Sequence, residues 1–319
     1  MPSLRTRHIA FAAILLSAPL LMGAQRIDAP LARADAHDRM AAVPTFRSES
    51  ELVVVHVTVR DGAAPVDDLP REAFRLFDNS RPQTVSVFAH QDDPITIGLI
   101  IDVSGSMEAL RARLSYAAAK FADTGRPDDE LFAIVVGDRP HAVLPPDAPF
   151  TSDPHTLRTA IARAQHPGGL TALYDAIAAG LEYLERGSHA RRALVVLSDG
   201  LDNASGITFE QVMMHTQASN AAVHAVGLVD PISLSRDPGH LRRLARATGG
   251  EAHFPTTNAA AIEALEAIGR EIRSAYALGF VPTGSTHDGA LHRLDVKVQS
   301  PGGRRLHVRA REGYLAGTR

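Results

Sequence analysis

Asp102, Ser104 and Ser106 stand at alternate positions at the end of the stretch T-I-G-L-I-I-D-V-S-G-S-M, residues 96–107, and Gly105 lets the backbone bend between the two serines. One carboxylate and two hydroxyls gathered at the end of a strand make a site for a hard cation. Such oxygens suit magnesium, which keeps some of its water and takes few protein ligands. On its own the D-x-S-x-S pattern reads equally as an Asp/Ser helix cap, since the same residues cap helices. Two later stretches tip that balance. G-G-L-T-A-L-Y-D, residues 168–175, is a glycine loop that presents Thr171 ahead of a helix. A-L-V-V-L-S-D-G, residues 193–200, is an apolar run that ends in Asp199. Ligands of open α/β sheets collect at the carboxyl ends of strands, so Asp102, Ser104, Ser106, Thr171 and Asp199 can share one crevice.

The elements that position these residues follow from periodicity. The run before Asp102 is apolar, mostly β-branched and bounded by Pro94, as a fully buried parallel strand would be. From 94 to about 274 strand-like and helix-like stretches alternate. Residues 108–122 carry apolar side chains at helical spacing, D-E-L-F-A-I-V-V-G-D is a strand, and H-A-V-L-P is a hairpin edge. Helices are expected at T-L-R-T-A-I-A-R-A, L-Y-D-A-I-A-A-G-L-E-Y-L, F-E-Q-V-M-M-H-T-Q-A and L-R-R-L-A-R-A, the last stopped by Gly249-Gly250. A final helix is expected in A-A-I-E-A-L-E-A-I-G-R-E-I-R-S. This alternation implies an α/β domain with a doubly wound, mostly parallel sheet.

The flanks have another texture. E-L-V-V-V-H-V-T-V-R-D-G, 51–62, is a strand ending in a D-G turn, and residues 75–88 read as a hairpin turning at Asp78 and Asn79. After residue 274 only strand-like pieces and glycine turns remain. Neither flank has enough strands to stand alone. The economical expectation is one β-sandwich-like domain built from residues 48–93 and 275–319, with the α/β domain of residues 94–274 inserted in it. Two separate flanking modules are the alternative.

Residues 1–24 have a positive start at Arg5 and Arg7 and a short apolar run broken by Pro19, the pattern of a secretory signal peptide cleaved after Ala24. An uncleaved anchor is the other reading. Removing the segment takes the net charge from −3 to −5. Residues 25–47, without periodicity, read as a linker. The expected location is therefore outside the cytoplasm, in the periplasm or extracellular space, with no membrane span in the mature chain. The composition, 45% hydrophobic and 22% charged, is that of a globular protein. There is no basic excess for a nucleic-acid surface. The chain has no cysteine, hence neither disulfide nor lipid-anchored cysteine. Its fifteen histidines form no H-x-x-x-H or H-E-x-x-H pair, and no nucleotide-binding glycine fingerprint occurs.

The set D-x-S-x-S, then Thr171, then Asp199 resembles the metal-ion-dependent adhesion site of von Willebrand factor type A domains. The resemblance is wider than the site. V-T-V-R-D-G, E-A-F-R-L-F-D-N, D-V-S-G-S-M, T-A-L-Y-D-A-I, L-S-D-G-L-D-N-A-S, L-A-R-A-T-G-G, Y-A-L-G-F and R-E-G-Y are similar to bacterial secreted proteins with a VWFA-related domain, over roughly residues 50–315. The loop G-G-L-T is one residue longer than the G-G-T of the family. The resemblance implies a Mg²⁺-dependent binding domain and names no ligand.

Charge fixes the expected mechanism. Asp102 neutralises part of the cation, Ser104, Ser106 and Thr171 are neutral ligands, and Asp199 acts directly or through water. Mn²⁺ or Ca²⁺ can replace Mg²⁺. With two serines in the set the metal stays electrophilic and seeks an Asp or Glu from a partner protein, which is binding rather than catalysis. An alternative is a Mg²⁺-dependent phosphohydrolase with Asp102 as nucleophile, although Ser104 stands where such enzymes carry a second acid. A further alternative is a structural envelope protein with a vestigial site. Asp202 and Asn203 read as a polar loop more readily than as support for the site, Asp175 as a first-turn helix acid, and Met213-Met214 as core.

Overall fold

The computed structural model describes residues 52–317 apart from 91, 111–115, 117, 119, 165–168, 229–237, 284–287, 301, 302 and 304. The expected signal segment and linker lie outside the described residues.

The first strands in chain order are β1 (Val53–Asp61), β2 (Ala64–Pro65), β3 (Phe74–Asp78), β4 (Arg81–Gln83) and β5 (Val85–Ala89). The expected hairpin over 75–88 is corrected in two ways. Its turn is Asn79-Ser80, both with positive φ (46° and 66°), as a two-residue hairpin turn of the strand-twist-matching kind requires. Asp78 is instead the buried last residue of β3. Moreover β5 does not pair with β3: after Gln83 the chain crosses to a different sheet.

The middle of the chain gives β6 (Ile95–Asp102), β7 (Glu130–Val136), β8 (Pro140–Ala142), helices α1 (Pro154–Arg163) and α2 (Leu173–Glu185), β9 (Arg191–Ser198), α3 (Phe209–Ala218), β10 (Ala222–Gly227), α4 (Pro238–Thr248), β11 (Ala252–His253) and α5 (Asn258–Ser274). Six strands form one sheet in the order β11-β10-β9-β6-β7-β8. It is parallel except for β8, which is antiparallel to β7. β6 lies at its centre and is buried along its whole length, as its unbroken apolar run demands. The helices bury apolar stripes at helical spacing: Leu157 and Ile161 on α1, Ile177, Leu181 and Leu184 on α2, Leu265, Ile268 and Ile272 on α5. Of the helix expected over 108–122, residues up to Leu110 belong to a 3₁₀ segment, Gly105–Leu110, and residues 116, 118 and 120–122 are helical. Met213 packs against the core while Met214 is half exposed, so the Met-Met pair is only half core.

The tail supplies β12 (Tyr276–Phe280), β13 (Leu291–Val298), β14 (His307–Ala310) and β15 (Gly313–Leu315). All pair antiparallel with strands from the other end of the chain or with each other. β1 lies between β12 and β14 with β5 beyond β12, and β13 lies between β3 and β15 with β4 beyond β3. Val53, Val55, Val57 and Val59 of β1 share a core with Leu76, Leu278, Phe280 and Leu294. The alternate residues Val54, His56 and Thr58 are buried as well, so β1 is covered on both faces.

Candidate metal centre

Asp102 is the last residue of β6 and Asp199 follows β9, its parallel neighbour. Ile101 is paired with Leu197, so the register places Asp102 beside Ser198. Ser198 Oγ donates to Asp102 Oδ2 at 2.7 Å, and the Ser104 backbone N–H donates to Oδ1 at 3.0 Å. Both carboxylate oxygens are thus held in fixed directions. Ser104 Oγ and Ser106 Oγ are 3.1 Å apart. Asp102, Ser104, Thr171 and Asp199 are buried and Ser106 is exposed, so the cluster opens to solvent on the Ser106 side.

Thr171 is brought in by its loop. Gly105 N–H donates to Gly169 O at 3.2 Å, which joins the loop to the serine turn. Gly169 has a φ of +145°, and a Cβ there would lie 2.5 Å from Asp138 Oδ1, so this position needs glycine. Asp138 Oδ1 accepts from Leu170 N at 2.7 Å, and Asn203 Oδ1 accepts from Thr171 N at 2.7 Å. The N–H groups of Asn203 and Ala204 donate in turn to Thr171 O. The extra residue of G-G-L-T, Leu170, stands 53% exposed beside the cluster.

Asp202 and Asp175 complete this frame. Asp202 Oδ1 accepts from Tyr174 N at 3.1 Å, and the Asp175 carboxylate accepts from Gly206 N and Ile207 N. The first turn of α2 and the loop after β9 are thereby locked together. Asp175 is structural, as its first-turn position suggests. Asp202 and Asn203 do more than expected of a polar loop, because Asn203 fixes the Thr171 backbone. Ser198 and Asp138 were not singled out in the sequence. The legible signal for Ser198 was a small polar residue at the end of a buried strand, next to an acid.

Burial pushes the Asp102 carboxyl above its ordinary range, hydrogen bonds from Ser104 and Ser198 pull it back, and the Asp199 charge pushes it up again. A cation between the two acids would offset both the burial and the repulsion. The donor set therefore fits a hard divalent ion: carboxylate and hydroxyl oxygens at the carboxyl ends of adjacent strands. No group of three or more His, Cys, Asp or Glu side chains suited to a metal occurs among the described residues. Three of the histidines, His56, His224 and His292, are buried. Burial lowers the first two, to about 4 and about 3.

Solved structures are similar to parts of the chain. The von Willebrand factor type A protein of Catenulispora acidiphila is 14% identical and aligns over 85% of this chain and 76% of its own, with a TM-score of 0.49. Proximal thread matrix protein 1 from the mussel byssus, with a zinc-occupied MIDAS motif, is 13% identical over 62% of this chain and 50% of its own, TM-score 0.50. The vWF domain of the type V pili tip protein Mfa5 from Porphyromonas gingivalis is 13% identical over 61% of this chain and 98% of its own, TM-score 0.48. No curated protein is significantly similar in sequence. Among the described residues no helix is long and apolar enough to cross a membrane. Residues 97–201, which hold most of β6, all of β9 and all five candidate ligands, match the von Willebrand factor type A domain family model, and over that stretch the chain is similar to that family.

Proposed function

We propose that the chain binds a partner protein through Mg²⁺ held by Asp102, Ser104, Ser106, Thr171 and Asp199. The observation that carries this reading is the buried Asp102, fixed through both oxygens beside Asp199 and next to a serine pair that opens to solvent. The metal would supply an electrophilic coordination position for a partner Asp or Glu. The chain's own part is to hold the ligands rigidly and leave the Ser106 side open. Asp102 is badly placed as a nucleophile, since it is 0% exposed and both its oxygens already accept hydrogen bonds. The proposal includes export, with the mature chain starting near Gln25, and the antiparallel sheets as one flanking sandwich.

The test is thermal. Millimolar Mg²⁺ or Mn²⁺ raises the melting temperature over that in chelator, because a ligand bound only by the native state stabilises it by mass action. Asp102→Ala abolishes the rise. Zn²⁺ belongs in the series because the byssus protein carries zinc in its motif. Identical curves with metal and with chelator in the wild type would overturn the proposal. A pull-down from envelope extract, with Mg²⁺ against chelator, then identifies the partner.

A further inference from the structure

A cavity of about 550 Å³ lies where α3 and α4 meet the β13–β15 side of the four-stranded sheet, and it shares no residue with the candidate metal centre. Its size is that of a small-molecule site, roughly 300–1,000 Å³. Its lining is two-sided. Met213 of α3 with Leu291 and Leu294 of β13 form an apolar wall, and Leu291 is 58% exposed. Arg243 and Arg246 of α4, Arg293 of β13 and one acid, Glu312, line the rest.

That carboxylate is already engaged, since Arg246 donates to Glu312 Oε1 at 2.8 and 3.0 Å. Arg243 lies over the Phe209 ring at 4.7 Å, and its charge also favours the ionised form of the exposed Glu210 carboxyl. Arg293 is tied down through its backbone, which donates to Asn79 Oδ1, and among the described residues its guanidinium has no acidic partner. The floor beneath is rigid. His292 Nδ1 lies 3.0 Å from Asp78 Oδ1 and 3.2 Å from Tyr314 OH, all three residues being buried. Two exposed arginines beside an exposed leucine gain nothing from each other in water. Both are answered by one ligand with an anionic head and an apolar body.

We propose that this cavity binds a small amphipathic organic anion. Its carboxylate or phosphate head would sit between Arg243 and Arg293, where the planar guanidinium fork matches either group. Its body would lie along Met213, Leu291 and Leu294. Inorganic anions would leave the apolar wall wet, and a neutral hydrocarbon would leave the arginines unanswered.

The experiment uses the full chain with chelator present, so that it does not depend on the metal reading, and 8-anilinonaphthalene-1-sulfonate as the fluorescent probe. The expected result is one saturable site from which decanoate or decyl phosphate displaces the dye. Whichever competes better identifies the head group. Inorganic phosphate at the same concentration displaces none. Arg293→Glu weakens dye binding about ten-fold through loss and reversal of a charge-assisted contact, with an unchanged melting temperature because the side chain is exposed. Arg243→Gln is the second variant should Arg293→Glu fail to fold, and it weakens binding in the same direction. Non-saturable emission, equal displacement by inorganic phosphate, or unchanged affinity in the folded variants would overturn the proposal.

Discussion

The six-stranded sheet takes its strands from residues 95–253, whereas the two antiparallel sheets take theirs from residues 53–89 and 276–315. In the first region β6, β7, β9 and β10 are joined through helices that pack back on the same sheet, and nearly every apolar side chain finds its partners within that segment. In the second, Val53 is paired with Phe280 and Leu294 with Asp78, partners more than 200 residues away in sequence. Closing so long a loop costs little more than closing a moderate one if something compact already fills it. The parallel domain fills it, and its order brings the two chain ends together. The antiparallel region is therefore the dependent one, although each region has its own core.

Truncation is the severest way to break this comparison. Deleting residues 276–319 strips β1 of both β12 and β14, β5 of β12, and β3 of β13. The expected result is exchange of the amides of residues 53–60 at unfolded-chain rates, while residues 97–101 and 193–197 stay protected. Full protection of β1 after truncation would show that the amino-terminal strands fold without the tail. The dependence described above would then be wrong.

Next in size is the joint. Arg191 is 1% exposed and donates to five backbone carbonyls: His90 and Asp93 on the way into the parallel domain, Ile272, Arg273 and Ala275 on the way out. Burial lowers its guanidinium to about 10, still charged at neutral pH. Arg191→Met leaves these buried acceptors without a donor and should cost about 4 kcal/mol, in the range for losing a buried hydrogen-bonded charge. In urea the antiparallel strands should then unfold ahead of the parallel ones. A single transition shifted as a whole would show that the regions remain one cooperative unit without this clamp.

Acid probes the same joint from the β1 side. His56 Nε2 lies 2.9 Å from Asn220 O, and Asn220 also bonds Val54 N and Leu52 O, so one residue ahead of β10 grips the first strand. Burial holds the imidazole at about 4, with the charges of Arg191, Arg311 and Arg192 opposing protonation. The unfolded chain takes up this proton near pH 6.5 and the folded chain only near 4. Stability is therefore lost as pH falls across that window, by up to about 3 kcal/mol. His56→Gln should flatten the slope of stability against pH between 6.5 and 4, as read by urea titration at each pH.

What the sequence discloses divides along the same line. D-V-S-G-S-M and L-S-D-G sit at strand ends because an apolar run followed by polar oxygens is a local pattern, and the parallel domain is made of local patterns. The antiparallel region is harder to read. Residues 75–88 look like one hairpin, yet β5 crosses to another sheet, because Val85 and Val87 find their partners on a strand far downstream. V-V-V-H-V-T-V reads as a strand with one buried face, and nothing local says that Asn220 bonds to it on the other. Arg191 looks like a surface cation at a strand start; only the convergence of entry and exit segments buries it. Ser198 was only faintly legible for the opposite reason, since a serine at the end of an apolar strand next to an acid signals a small polar side chain, and its role shows once the register sets it against Asp102.

That serine gives the smallest and most local prediction. Its hydroxyl donates to Asp102 Oδ2 and accepts from Gly200 N at 3.0 Å, so it holds both the acid that ends β6 and the turn that follows Asp199. Ser198→Ala removes about 1 kcal/mol of stability, the usual net worth of such a bond. It also frees Asp102 to rotate, and under the proposed metal reading the Mg²⁺ concentration needed to raise the melting temperature should increase about ten-fold, as for other residues that orient metal ligands. Ser198→Thr, which keeps the hydroxyl, should restore most of it. Because the effect arises within the parallel domain, hydrogen exchange in β1 should not change. If Ser198→Ala instead loosened β1, the two regions would be coupled through the sheet as well as through Arg191, and the antiparallel strands would report on the state of the metal centre.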